Sequence, residues 1–279
     1  MKILMLVDLV RSMHETTGFR KLCLAGGVAL NCVANQKLMN LDFIDEIYVQ
    51  PASSDAGLSL GAAYIVSQRA GVAIKPMASV YLGPSYTENE IEAALRMTNV
   101  KYEKINDVAD FAAEQVSANK IVGWFQGRME LGPRALGNRS ILANPCNPEM
   151  QDIVNEKIKF REKFRPFTPS VLEEDADDFF VGKMRVAPYM TITFDAKEGV
   201  KDVIPSVVHV DDTVRVQTVS EDQNARYYRY LQALKARLGH GVTMNTSFNV
   251  RGDPVVNSPY NALATFYGSG MDFVILGDF

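Results

Sequence analysis

Gly123–Ser140, GWFQGRMELGPRALGNRS, decides how the rest of this chain is read, together with the basic ladder Lys157–Pro169, KIKFREKFRPFTP. The first stretch leaves an apolar, strand-like run, Lys120–Phe125, and breaks into a loop punctuated by Gly127, Gly132, Pro133 and Gly137. Glycine lets backbone amides approach a ligand closely, and Arg128, Arg134 and Arg139 sit among these glycines. In the second stretch Lys157, Lys159, Arg161, Lys163 and Arg165 occupy alternate positions. An extended backbone would send all five heads to one face and Ile158, Phe160 and Phe164 to the other. Guanidinium groups beside free amides are the usual means of holding phosphate or carboxylate. The competing reading is a solvated basic edge strand, protected against pairing with other chains.

Composition narrows the choice. With 279 residues, 47% of them hydrophobic and 22% charged, the chain has the make-up of a soluble globular protein, and its length predicts two units. A net charge of −4 sets the basic cluster against an acidic background. That favours a specific anion site over a nucleic-acid surface, whose footprint is a basic domain. Cys23, Cys32 and Cys146 form no C-x-x-C pair, and their odd number fits reduced thiols in the cytoplasm. The opening MKILMLVDLV is interrupted by Asp8, and Ile3, Leu6, Val7 and Val10 fall at helical spacing. It reads as an amphipathic helix rather than a leader, and no run is long enough to span a bilayer.

Along the chain, the opening helix ends near Thr17, and Lys21–Ala25 reads as a short buried strand. Gly26-Gly27 and the helical pattern VALNCVANQKLMN follow, a strand–glycine–helix arrangement suited to an anion. Any strand-to-helix turn can use such glycines for packing alone. Glu46–Val49 is a second strand. Beyond it Asp55 stands ahead of another helix, either as its N-cap or as a metal or substrate ligand. Periodicity is lost between Ala70 and Pro84, which marks the boundary between units. Helices are expected at Glu88–Met97, Asp107–Ala118 and Asn224–Leu238, and one opening at Asn147-Pro148 with Asn147 as cap. Tyr189–Phe194, Thr213–Val219, Val242–Asn245 and Asp272–Leu276 read as strands, and Ser258-Pro259 starts the last helix. Arg215 lies in mid-strand, where an arginine is more often a surface residue than a ligand.

Five ordered blocks then carry a resemblance: LCLAGGVALNCVAN, ASSDAGLSLGAA, GRMELGPRALGNRSIL, NEKIKFREKFRPFTPSVL and MNTSFNVRGDPVV. Together they resemble the O-carbamoyltransferase family of nodulation and antibiotic biosynthesis, over nearly the whole chain. The resemblance implies an α/β protein: the C-terminal part of an ASKHA (actin-like ATPase) domain at residues 1–75, a linker at 76–84 and a YrdC-like domain at 85–279. It implies that the YrdC-like domain joins carbamoyl phosphate and ATP, with Mg, into carbamoyl-adenylate, releasing pyrophosphate. The carbamoyl group then passes to a hydroxyl of a sugar or natural product. Position by position, Arg134, Arg165, Arg215 and Asn245 match the family's carbamoyl-phosphate and adenylate ligands. Lys159 and Arg161 stand as further candidates in the same basic stretch. Gly27 and Asn31 match contacts to the adenylate, and Asp55 matches a ligand of the family's iron, Fe(II). Several fixed cations suit such chemistry, since two phosphate-bearing substrates repel one another.

The chain also departs from that pattern. Full-length relatives carry an N-terminal half of the ASKHA-like domain, with an H-x-x-x-H pair that completes the iron site. Here the only histidines are His14, His209 and His240, and transition-metal sites need several ligands. Asp55 alone does not make one. A remnant of that domain is expected to expose apolar surface, so a homodimer or the missing half is the expected partner. Two other readings compete: a non-catalytic nucleotide- or RNA-binding module, and a subunit of a larger assembly.

Overall fold

The computed structural model describes residues 2–279. The first segment holds α1 (Lys2–Thr17), β1 (Lys21–Leu24), α2 (Cys32–Met39), β2 (Glu46–Val49) and α3 (Leu58–Arg69). Strands β1 and β2 pair in parallel, Lys21 opposite Glu46. The expected helix after Gly26-Gly27 is broken. A 3₁₀ turn, Gly27–Leu30, comes first, and Asn31 then caps α2 by accepting from the Ala34 amide at 3.1 Å.

After an irregular stretch come α4 (Glu88–Met97), α5 (Val108–Ser117), β3 (Val122–Phe125), β4 (Arg139–Ala143) and α6 (Met150–Lys157). Next are β5 (Thr168–Leu172), the short α7 (Ala176–Phe179), β6 (Phe180–Val181), β7 (Thr193–Ala196) and α8 (Val200–Val203). The chain closes with β8 (Thr213–Arg215), β9 (Gln217–Val219), α9 (Glu221–Leu238), β10 (Val242–Ser247), α10 (Pro259–Tyr267) and β11 (Phe273–Leu276). Helix α4 starts with a capping box, Thr87 and Glu90 exchanging hydrogen bonds, and α10 starts with another, between Ser258 and Asn261. The architecture is mixed α/β.

Six strands form the main sheet in the order β11-β3-β4-β10-β5-β9. The outer pairs are parallel and the inner ones antiparallel. Helices α5 and α9 cover one face, burying Val108, Ala112 and Val116 against Trp124, Tyr227, Tyr230 and Leu234. Burial of each large apolar side chain there contributes roughly 1.5–3 kcal/mol. On the other side a second core runs without a break from Val10, Leu38 and Ile47 of the first segment to Phe167, Phe194 and Val214. Helix α2 seats on β7, where Gln36 donates to Asp195 at 2.9 Å and accepts from Thr193 at 2.7 Å.

Several expectations are corrected here. The basic ladder is not extended, because α6 runs on through Lys157 and the chain then curls back. Asn155 holds that curl, its Nδ2 donating to the carbonyls of Lys163 and Arg165 at 3.0 and 2.9 Å. Lys159 is consequently buried, while Phe160 and Phe164 are 50% and 78% exposed, the reverse of the alternation. Helix α6 begins at Met150 rather than Pro148, since the Asn147 carboxamide accepts from the Glu149 amide in a turn before it. The strand expected at Tyr189–Phe194 begins only at Thr193, Met190 having a positive φ of 54°. Thr213–Val219 is two strands in two different sheets, β8 joining β6-β7-β8 and β9 the edge of the main sheet.

Candidate active site

Central strand β10 brings Asn245 opposite Leu142 of β4 and Thr168 of β5. Where β10 ends, a cavity of about 140 Å³ is lined by Arg134, Ala135, Arg161, Thr168, Arg215 and Asn245, among others. Sequence-distant stretches meet here: the β3–β4 loop, the curl after α6, the start of β5 and the end of β8. Arg134, Arg161 and Arg215 appear in none of the ion pairs among the described residues. Arg215 donates from Nε and Nη2 to the Thr168 hydroxyl at 3.1 and 2.8 Å. Arg161 donates to Asn155 Oδ1 at 2.6 Å and lies over the Phe167 ring.

Burial, and then the neighbouring Arg134 charge, pushes the Arg215 guanidinium down to about 10. Arg134 is lowered by burial, and Arg161 by burial followed by the charge of Arg165. All three stay cationic at neutral pH. Crowded, desolvated and unpaired, they form a cavity that an anion would stabilise.

Asn245 is buried and donates from Nδ2 to Ala135 O, Ser170 Oγ and Gln217 Oε1 at 3.2, 2.9 and 3.1 Å. Its Oδ1 is buried and accepts nothing. A buried carbonyl-type oxygen left without a donor costs about 1–3 kcal/mol, so a ligand N–H aimed at it would be well placed.

The other sequence candidates sit differently. Arg165 is outside the cavity lining, half-exposed and ion-paired with Glu162 at 3.1 Å. Lys159 turns its ammonium into the protein, donating to the carbonyls of Ser247 and Asn249, the latter at 2.9 Å, and to Asn249 Oδ1 at 2.9 Å. Burial first, then the Arg161 charge, pushes it down to about 7. Lys159 thus braces the end of β10 from behind. Gly27 and Asp55 line a second, larger hollow of about 1180 Å³, with Leu58, Ile65, Ile74 and Met77 among its walls. Asn31 is exposed and spends its side-chain oxygen on capping α2. Asp55 is exposed in a 3₁₀ turn before α3. No cluster of three His, Cys, Asp or Glu that would hold a metal occurs among the described residues, so they do not fit the iron site the resemblance implies.

Sequence reading missed Thr168, Ser170 and Gln217, which orient Arg215 and Asn245. Nothing in their spacing marks them, because the sheet register alone brings them together.

Comparison with known proteins gives the family. The family model described as carbamoyltransferase C-terminus matches residues 113–279, more than half of the chain. The chain belongs to the carbamoyltransferase family. A second model, carbamoyltransferase N-terminus, matches residues 3–64. Nodulation protein NolO of Bradyrhizobium diazoefficiens is 40% identical over 97% of this chain and 50% of its own length. An uncharacterised Synechocystis protein is 41% identical over 96% of this chain and 48% of its own length. The chain spans about half the length of these members of the family. A crystal structure of Thermococcus kodakarensis HypF (TM-score 0.44, 20% identity) aligns with 61% of this chain and 21% of its own. No described helix is long and apolar enough to cross a membrane.

Proposed function

We propose that this cytoplasmic chain binds carbamoyl phosphate at the arginine-lined cavity and ATP beside its mouth, forms carbamoyl-adenylate there and supports carbamoyl transfer to a hydroxyl acceptor. One observation carries the reading: three guanidinium groups without a carboxylate partner line one cavity with a buried, unpartnered amide oxygen. A carbamoyl phosphate offers the complement of both. Its phosphate takes bidentate hydrogen bonds from Arg134, Arg161 and Arg215. Its terminal amide is the complement that Asn245 Oδ1 lacks, an N–H donor that inorganic phosphate does not have.

Atom balance sets the steps. Water cleaves the carbamoyl–phosphate bond, releasing orthophosphate. A carbamate oxygen then attacks the α-phosphorus of ATP, and pyrophosphate leaves. Each step gathers negative charge, and fixed cations that need no reorganisation stabilise it. No Asp or Glu lines the cavity among the described residues, so a Mg ion would be carried by the ATP phosphates. In this reading the acceptor hydroxyl binds at the larger hollow beside Gly27 and Asp55, on surface that the additional length of the relatives would complete.

ATP–pyrophosphate exchange on the purified chain tests this, with and without carbamoyl phosphate, in wild type and Arg134→Ala. Exchange that requires carbamoyl phosphate and disappears in the variant supports the reading. A folded wild-type chain showing no exchange, and no affinity for carbamoyl phosphate, would sink it.

A further inference from the structure

The connection from β3 to β4 carries three glycines of positive φ, Gly127, Gly132 and Gly137, at 42°, 108° and 101°. Between the last two, Pro133, Arg134 and Ala135 reach the small cavity. A glycine-rich excursion of this kind has little intrinsic stiffness, yet it must hold one guanidinium and one carbonyl in fixed places. Ala135 O receives Asn245 Nδ2, and Leu136 O receives both the Tyr81 hydroxyl at 2.7 Å and Gln217 Nε2 at 2.8 Å.

Glu130 sits inside this loop, 6% exposed, and does not line the cavity. Its Oε1 accepts from the amides of Leu136, Asn138 and Arg139 at 2.7, 2.8 and 3.2 Å. The carboxylate is thus spent on backbone. It forms no ion pair among the described residues, and Arg139 nearby directs its guanidinium to the carbonyls of Gln126, Gly127, Asn138 and Pro84. A buried carboxylate is costly unless its oxygens are satisfied, and converging charged hydrogen bonds are among the strongest available to it. One side chain on the outgoing arm therefore ties down the whole returning arm.

We propose that Glu130 is a positioning residue, whose grip on the Leu136, Asn138 and Arg139 amides holds the Arg134 guanidinium and the Ala135 carbonyl in place for an anion. This rests on the reading of the cavity as an anion site. A role in stability alone would lower the melting temperature without moving affinity, and the two roles separate experimentally.

The experiment compares wild type, Glu130→Ala, Glu130→Gln and Arg134→Ala by hydrogen exchange at the three amides and by calorimetric affinity for inorganic phosphate. In Glu130→Ala the amides should exchange at least about tenfold faster, and phosphate affinity should fall about tenfold. Glu130→Gln keeps an acceptor oxygen in place and should recover both to within about threefold. Arg134→Ala should lose phosphate affinity while the three amides stay protected. Folded Glu130→Ala with wild-type affinity, or with protected amides, overturns the proposal. If Glu130→Ala does not fold, Glu130→Asp withdraws the oxygen by one methylene, and unchanged phosphate affinity there overturns it equally. Failure of the anion reading shows separately, as wild type and Arg134→Ala binding phosphate alike.

Discussion

Arg215 shows what a single residue contributes. Its guanidinium is held by the neutral Thr168 hydroxyl, lies beside the Cys32 thiol and faces Arg134 rather than a carboxylate. An empty cavity of this kind works against its own cations, since a buried charge without a counter-charge is destabilising. Replacing Arg215 by Met should therefore leave ligand-free stability unchanged or raise it, by no more than about 2 kcal/mol. Carbamoyl phosphate should stabilise the wild type by about 2.7 kcal/mol at a hundredfold excess over Kd, and the variant by almost nothing. Thermal denaturation with and without ligand measures both arms. A variant that is markedly less stable without ligand, yet still stabilised by it, would show that Arg215 supports the fold rather than the anion. The same scale shows what was legible beforehand. Arg134 stands in a recognisable block, ELGPRALG, Arg215 only in the strand-like TVRVQTV, and both line the cavity. The unpartnered oxygen of Asn245 was not legible, because it arises from three acceptors claiming the other end of the amide.

At the scale of elements, β8 connects the site to pH. His209, just before the strand, exchanges backbone contact with Thr213, its amide donating to Thr213 O at 2.9 Å, and its Nδ1 lies 3.1 Å from the Thr213 hydroxyl. Burial lowers its pKa below the usual 6.5; Asp211 opposes this and Arg215 reinforces it. The folded state therefore binds fewer protons than the unfolded state just below pH 6.5. By linkage, stability rises with pH there and is lost as pH falls from 6.5 through the folded pKa. His209→Gln should flatten the urea-midpoint profile just below about pH 6.5. A profile as steep in the variant as in the wild type would assign the slope to other groups. Elements were legible where caps and periodicity were local, as in α4 with Thr87 and Glu90 or α10 with Ser258 and Pro259. They were not legible where tertiary contacts decided. The alternating charges of Lys157–Arg165 satisfy a strand pattern, but Asn155 recovers the Lys163 and Arg165 carbonyls and bends the segment away. Likewise TVRVQTV alternates throughout, and nothing in it announces that the chain leaves one sheet for another at Val216.

Across the whole molecule, the first segment meets the main sheet at a contact that tolerates no side chain. Gly132 has φ 108°, and a Cβ there would lie 2.7 Å from the Pro51 carbonyl oxygen and 3.3 Å from the Ala52 Cα. Pro133 beside it lines the small cavity, and Ala52 lines the large hollow. Gly132→Ala should cost about 1–3 kcal/mol, from close contact and from the left-handed backbone together. It should also disturb carbamoyl phosphate affinity, as a chemical denaturation series and a binding isotherm would show. An alanine variant as stable as wild type would mean that the two parts slide past one another freely. The outer side of the first segment points the other way, toward incompleteness. Two parallel strands make a meagre sheet, since parallel sheets normally lie buried under helices on both faces. Leu4, Met5, Leu9 and Met13 of α1 and Leu58, Ile65 and Val66 of α3 are more than half exposed. Apolar patches of that kind are covered in stable soluble proteins. Alone in solution, the chain should therefore self-associate with increasing concentration, and Ile65→Lys with Val66→Lys should return it to monomer while leaving carbamoyl phosphate affinity intact. Sedimentation velocity across a dilution series separates the cases. A wild-type chain that stays monomeric at every concentration would show that these helices need no cover.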